Sequence, residues 1–154
     1  MKKLNFSIVE SYFDGVNLTE IRIEGVESVG KILDSNPFRR PDASWEGVVK
    51  YGYHFSRREN RNSILENGFI PGEDEDMVYF YTGLGSLRNI YVQDLNNGNP
   101  ISEGWDVWVV DLEGCELNVD TRISWTILVK DGLIPVAIRT ASKPNILGYI
   151  EYPL

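Results

Sequence analysis

Leu4, Phe6 and Ile8 alternate with Asn5 and Ser7, the period-two spacing of a strand with one face buried. Asp14-Gly15 is a turn signal, and beyond it Ile21 and Ile23 alternate with Glu20 and Arg22. Together these runs predict a hairpin whose loop is somewhat longer than two residues. Over 26–33 the period changes: Val26, Val29, Ile32 and Leu33 fall at helical spacing. Asn36-Pro37 ends that helix, because proline disfavours helical backbone in the residue before it. Two prolines, Arg39, Arg40 and Asp42 mark 36–47 as a connecting loop.

The remaining chain is richer in strands. Val48 to Phe55 is strand-like, and 60–67 is helical with Ile64 and Leu65 inward and Gly68 as terminator. An acidic turn over 71–76 leads to a strand over 77–82. Leu87, Ile90, Tyr91 and Leu95 predict a helix over 85–95, and 96–103 is a polar loop. Trp105, Val107, Val109 and Asp111 alternate against Asp106, Trp108 and Val110 in the strongest strand pattern of the chain. Short strands follow at 117–119, 125–129, 136–139 and 149–152. Helices early and strands late point to an α+β fold rather than a doubly wound one. No repeat or low-complexity segment divides the chain. One domain over 1–154 is expected, with 1–45 as an appended hairpin and helix and 46–154 as the core.

The length of 154 residues suits one domain with its own core. Fifteen basic residues stand against twenty-three acidic ones, a net charge of −8. Such a field repels a long phosphate backbone, so an extended nucleic-acid track is disfavoured. The cations do gather at Arg39-Arg40 and at Arg57, Arg58 and Arg61, which leaves room for a small phosphate-bearing ligand. The single cysteine, Cys115, rules out an internal disulfide, fits a reducing compartment, and reads as a small buried hydrophobe. No run approaches the ~20 apolar residues of a membrane span, and the first residues do not form a signal peptide. A cytoplasmic location is therefore expected. One histidine and one cysteine make no structural zinc site. Gly83-Leu84-Gly85-Ser86 lacks the lysine and spacing of a phosphate loop, and 73–76 lacks calcium-loop spacing.

The lone histidine sits in Tyr53-His54-Phe55-Ser56, at the end of a predicted strand. Glu59-Asn60 follows, then Ser63-Ile64-Leu65-Glu66-Asn67-Gly68-Phe69-Ile70-Pro71-Gly72, then Val78-Tyr79-Phe80-Tyr81-Thr82. In order and spacing this stretch resembles ADP-ribosyltransferase-fold proteins over about residues 51–92. There a strand ends in His-x-Thr or His-x-Ser, a helix ends in Ile-Leu-x-x-Gly, and a proline turn leads to a strand bearing a tyrosine. The later segment Trp125 to Lys130, Leu133-Ile134-Pro135 and Ile138-Arg139 is similar to the C-terminal part of relatives that act on DNA or on tRNA phosphate, with an Ile-Pro turn between strands. The tRNA branch needs a basic groove, which the net charge opposes.

The resemblance implies a split antiparallel sheet with two or three short helices, and NAD as substrate. It implies that His54 holds the nicotinamide-side ribose and Ser56 supports the adenosine side. It further implies that Tyr79, with Tyr81 as alternative, stacks on the nicotinamide, and that Tyr91 closes the pocket. Arg57 and Arg58 follow His54 closely, and an arginine there, Arg57 first, can pair with the pyrophosphate, since a guanidinium offers a fork of donors to phosphate oxygens. Phe55 completes the cofactor-binding set. The family's late-strand glutamate has no obvious match. Glu113, Glu116, Asp120 and Glu151 are the candidates, and Glu151 is taken with His54 and Tyr79 as the catalytic set. His54 and Tyr79 are then expected to form two walls of one dinucleotide cleft. The implied activity is mono-ADP-ribosyl transfer to a macromolecular target, a protein above all, as in toxins and phage effectors. The alternative is an inactive module of the same fold that binds a basic partner through its acidity and exposed aromatics such as Trp108.

Overall fold

A computed structural model describes residues 3–13, 16–26, 45–72, 75–82, 105–120, 126–129, 132–135 and 137–152. The expected helices over 26–33 and 85–95, and with them Tyr91, lie outside the described residues, apart from Val26. Broadly the fold is α+β and dominated by antiparallel sheet, with one short α-helix among the described residues.

Strands β1 (Phe6–Phe13) and β2 (Val16–Ile23) form a two-stranded antiparallel sheet. The pairing runs as far as Phe13 with Val16, so the strands extend closer to one another along the chain than the pattern predicted. The Asp-Gly pair is itself the common two-residue hairpin signal. A 3-10 turn at Trp45–Gly47 leads to β3 (Tyr51–Arg57), and a second at Arg58–Asn60 leads to α1 (Arg61–Asn67). Gly68 ends α1 with φ +73° and donates its N–H to the Ile64 carbonyl at 2.8 Å. That left-handed backbone is why a glycine stands there.

Strands β4 (Val78–Tyr81), β5 (Trp105–Asp111), β6 (Asn118–Val119), β9 (Ala137–Thr140) and β10 (Asn145–Tyr152) join β3 in a six-stranded sheet of order β10-β5-β3-β4-β9-β6. Strands β7 (Thr126–Val129) and β8 (Gly132–Pro135) make a separate hairpin. Leu133-Ile134-Pro135, expected as a turn, is thus strand, held on β7 from Gly132 to Pro135.

The large sheet is not evenly knit. β3 pairs with β5 from Tyr51 to Arg57, and β4 pairs with β9 from Val78 to Tyr81. Between β3 and β4 only Tyr53 and Tyr81 are in register. Beyond that pair the two strands part. Gly52 lies just before the parting, and a Cβ added to it would stand 2.9 Å from Phe80 Cβ. The glycine is what lets the strands approach so closely there.

Both faces of the sheet are buried. Val107, Val109 and Ile150 are fully enclosed with Tyr53, Phe55 and Tyr81, and Ile23, Trp45 and Ile134 belong to the same cluster. On the other face lie His54, Phe80, Trp108 and Ile138. Phe69, from the loop after α1, sets its ring against His54, Phe80 and Trp108 at 4.9, 5.5 and 6.1 Å. Trp108, expected as an exposed aromatic, is 0% exposed because α1 and its loop cover that face of β5. Cys115 is half-exposed in the turn after β5, not buried in a strand, and what burial it has pushes its thiol pKa up. Among the described residues no helix is long and apolar enough to cross a membrane.

Candidate functional site

His54 and Tyr79, 25 positions apart, meet where β3 and β4 part. The imidazole Nδ1 lies 2.8 Å from the Tyr79 carbonyl oxygen, and the two ring centroids are 5.0 Å apart with planes tilted by 48°. A carbonyl only accepts, so Nδ1 is the protonated nitrogen and donates to it. The side chain thereby supplies a hydrogen bond that a regular ladder would have drawn from backbone. Burial lowers the His54 pKa below its ordinary 6.5, and the bond to Tyr79 opposes that only in part. The resting state is a neutral imidazole with its proton on Nδ1 and the acceptor lone pair on Nε2.

The two rings form one wall, not two. A planar ring held between them would need centroids about 7 Å apart, at ~3.5 Å per stacked contact. At 5.0 Å they touch each other instead, and Phe69 and Phe80 pack on the imidazole at 4.9 and 5.6 Å. A ligand that uses Nε2 must lie beside this aromatic group or displace Phe69. Beyond Phe69 is a cavity of about 320 Å³, bounded by Gly68, Pro71 and Val78 on one side and by Thr140, Lys143 and Ile146 on the other. Its volume is at the small end for ligand pockets.

The other expected contacts are distributed differently. Tyr81 packs edge-on to Phe55 at 5.9 Å and to Tyr79 at 6.1 Å, and both Phe55 and Tyr81 are core residues. Ser56 is buried, its hydroxyl 3.4 Å from the Arg57 carbonyl. Arg57 stands 3.8 Å from Glu59 and 6.0 Å above the Trp105 ring.

Glu151 is not beside His54. The row through His54 continues across the sheet as Trp108 and Tyr149, while Glu151 lies in the next row on that face, with Asp106 and Ser56. Two strand spacings and a two-residue step put its Cα roughly 12 Å from that of His54. Its carboxylate accepts from Arg61 at 2.9 Å and pairs with Lys3 at 3.2 Å. Those two cations, Lys3 first, hold Glu151 below the usual carboxylate range. Asp120 is buried at the end of β6, its N–H donating to the Ala137 carbonyl at 3.1 Å. The residue opposite Tyr79 on the late strand β9 is not a carboxylate but Arg139.

Sequence reasoning passed over Asp106. Its side chain is 0% exposed and accepts two bonds from Arg61, 2.7 Å to Nε and 2.6 Å to Nη2, with Arg58 Nε 3.8 Å away. The Arg61 guanidinium also lies 4.4 Å over the Tyr149 ring. The bonds to Asp106 raise the Arg61 pKa. Thus Arg58 and Arg61, expected to offer charge to a phosphate, meet an internal carboxylate. The signal was legible: a lone acid on the same face as Trp108 in a strand of buried valines needs a cation, and the nearby helix starts with arginines.

Comparison with protein-family models, with curated proteins and with solved structures returns no match to this chain.

Proposed function

We propose that the chain is an NAD-dependent mono-ADP-ribosyltransferase-like protein that binds the donor beside the His54–Tyr79 pair. The observation that carries this is the meeting of the lone imidazole and Tyr79 at the split in the sheet, with Nδ1 committed to backbone. Neutral Nε2 is then an acceptor, suited to a ribose hydroxyl of the donor. Tyr79 and Phe69 offer aromatic surface to the nicotinamide. In the reaction the bond between the ribose carbon and the nicotinamide nitrogen breaks, and the electron pair leaves with nicotinamide. A nucleophile on the target, a protein side chain above all, attacks that carbon. The protein contributes positioning and electrostatics rather than a covalent intermediate.

A second reading, an inactive module of this fold acting through protein contacts, is favoured by two observations. Glu151 is engaged by Arg61 and Lys3, and an arginine faces Tyr79 from β9. Thermal denaturation with millimolar NAD separates the readings. A ligand at a hundred times its dissociation constant raises stability by about 2.7 kcal/mol. No shift at millimolar NAD removes the transferase reading. Labelled NAD with a cell lysate then tests the site: transfer should be lost in His54→Ala and in Tyr79→Ala, and label that survives both substitutions contradicts it.

A further inference from the structure

We propose that the cavity beside Phe69 binds a small carboxylic acid with an apolar body, its carboxylate held at the end formed by Thr140, Ser142 and Lys143. The space is real, about 320 Å³. Val78 of β4 and Thr140 of β9 stand directly opposite one another and so share a face of the sheet. Alternation along the two strands makes that the face of Phe80 and Ile138. Phe69, whose ring packs on His54, lines the cavity with Val78 and Ile146, and these side chains give it apolar walls. Such walls favour an occupant whose own apolar surface leaves water.

The polar end is rich in donors. Thr140 is 1% exposed, and its Oγ1 accepts the Ser142 N–H at 3.0 Å. Ser142 Oγ in turn accepts the Glu116 N–H at 3.3 Å. Each hydroxyl thus uses a lone pair and keeps a proton to donate. Among the described residues neither proton is given to an acceptor, and Lys143 makes no ion pair. The chain carries twenty-three acidic residues, yet none lines this cavity, whereas a lysine does. Two hydroxyl donors and an ammonium call for a charged acceptor, and the bonds it makes are the stronger for its charge. The volume is too small for a nucleotide, and the apolar walls disfavour a bare phosphate. An aromatic or short aliphatic monocarboxylate satisfies both ends.

The test does not depend on the transferase reading, because its probe is sodium benzoate and no NAD is present. In an NMR titration of the wild-type protein at neutral pH, the assigned amide cross-peaks of Phe69, Ser142 and Lys143 should move together along one saturable curve. Benzyl alcohol keeps the ring and lacks the charge, and acetate keeps the charge and lacks the ring. Each should bind roughly tenfold or more weakly than benzoate. Lys143 is exposed, so Lys143→Met should fold, and it should weaken benzoate by roughly tenfold while leaving benzyl alcohol unchanged. The comparison of the three probes stands on the wild-type protein alone, whatever the variant does. Absence of saturable movement, movement confined to residues away from the cavity, acetate or benzyl alcohol binding as well as benzoate, or equal benzoate affinity in a folded Lys143→Met overturns the proposal.

Discussion

Replacing Arg61 with methionine isolates the ion pair under α1. Asp106 has no exposure and depends on Arg61 for both of its short bonds. Without them its carboxylate retains only Arg58, at 3.8 Å. Breaking a buried pair from one side costs about 3–5 kcal/mol. Arg61 is itself 24% exposed and Arg58 remains near, so water and the second cation soften the loss. The low end, about 3 kcal/mol, is therefore expected. Methionine keeps an apolar stem over Tyr149, which limits the packing loss. For a domain of this size that corresponds to a fall in Tm of about 6–12 °C. Urea denaturation followed by circular dichroism should show a lower midpoint with an unchanged slope. The double variant Arg61→Met with Asp106→Leu should recover much of the loss, because no fully buried carboxylate is then stranded, while Arg58 and Glu151, which also lose a partner, are partly exposed. A single variant within about 1 kcal/mol of wild type, or a double variant no better than the single, would refute the reasoning.

The lone histidine gives one clean imidazole signal for NMR titration, and its pKa should fall below 6.5, rising toward that value in Phe69→Ala as the ring loses its cover. Because the unfolded chain then binds the proton more readily, stability should decline as pH drops below about 6.5 and be flat above it with respect to this group; His54→Gln should remove that slope. Glu151 has the opposite origin: its folded pKa is depressed, so its contribution is present above about 4.5 and is lost as pH falls through the folded value. Lys3→Met should shrink that acid-side loss in denaturation curves, and an unchanged curve would argue against the pairing. Gly52→Ala should cost about 1–3 kcal/mol by chemical denaturation, since the new methyl meets Phe80 Cβ at 2.9 Å and Val110 and Leu112 side chains at 3.1 Å.

The aromatic group at the split has a consequence for ligand entry. His54, Phe69, Tyr79 and Phe80 fill the space between the parted strands with ring contacts of 4.9 to 5.6 Å. Phe69 is the member drawn from a loop, and it also lines the neighbouring cavity. Movement of that one side chain would open a path from the cavity to the imidazole without disturbing a strand. The strands on either side are held by β5 and β9, which leaves Phe69 as the adjustable part.

What could be read from residues alone was whatever depends on near neighbours along the chain. Alternation over 105–111 announced β5, Ile64 followed by Gly68 announced the end of α1, and Asp14-Gly15 announced the first hairpin. Periodicity and backbone preference act over a few residues, so they survive without any knowledge of the fold. The pairing of His54 with Tyr79 was anticipated only through the order of motifs around them. The way they pair was not: contact between the rings follows from β3 and β4 sharing a single registered pair, which no local pattern encodes. The positions of Glu151 and Arg139 were likewise decided by strand order. β10 joins the sheet beside β5, which carries Glu151 to Arg61 and away from the imidazole, and β9 joins beside β4, which sets an arginine across from Tyr79. Strand identity is written in side-chain spacing. Strand neighbourhood is settled by which apolar faces can be buried together, and that is a property of the whole chain.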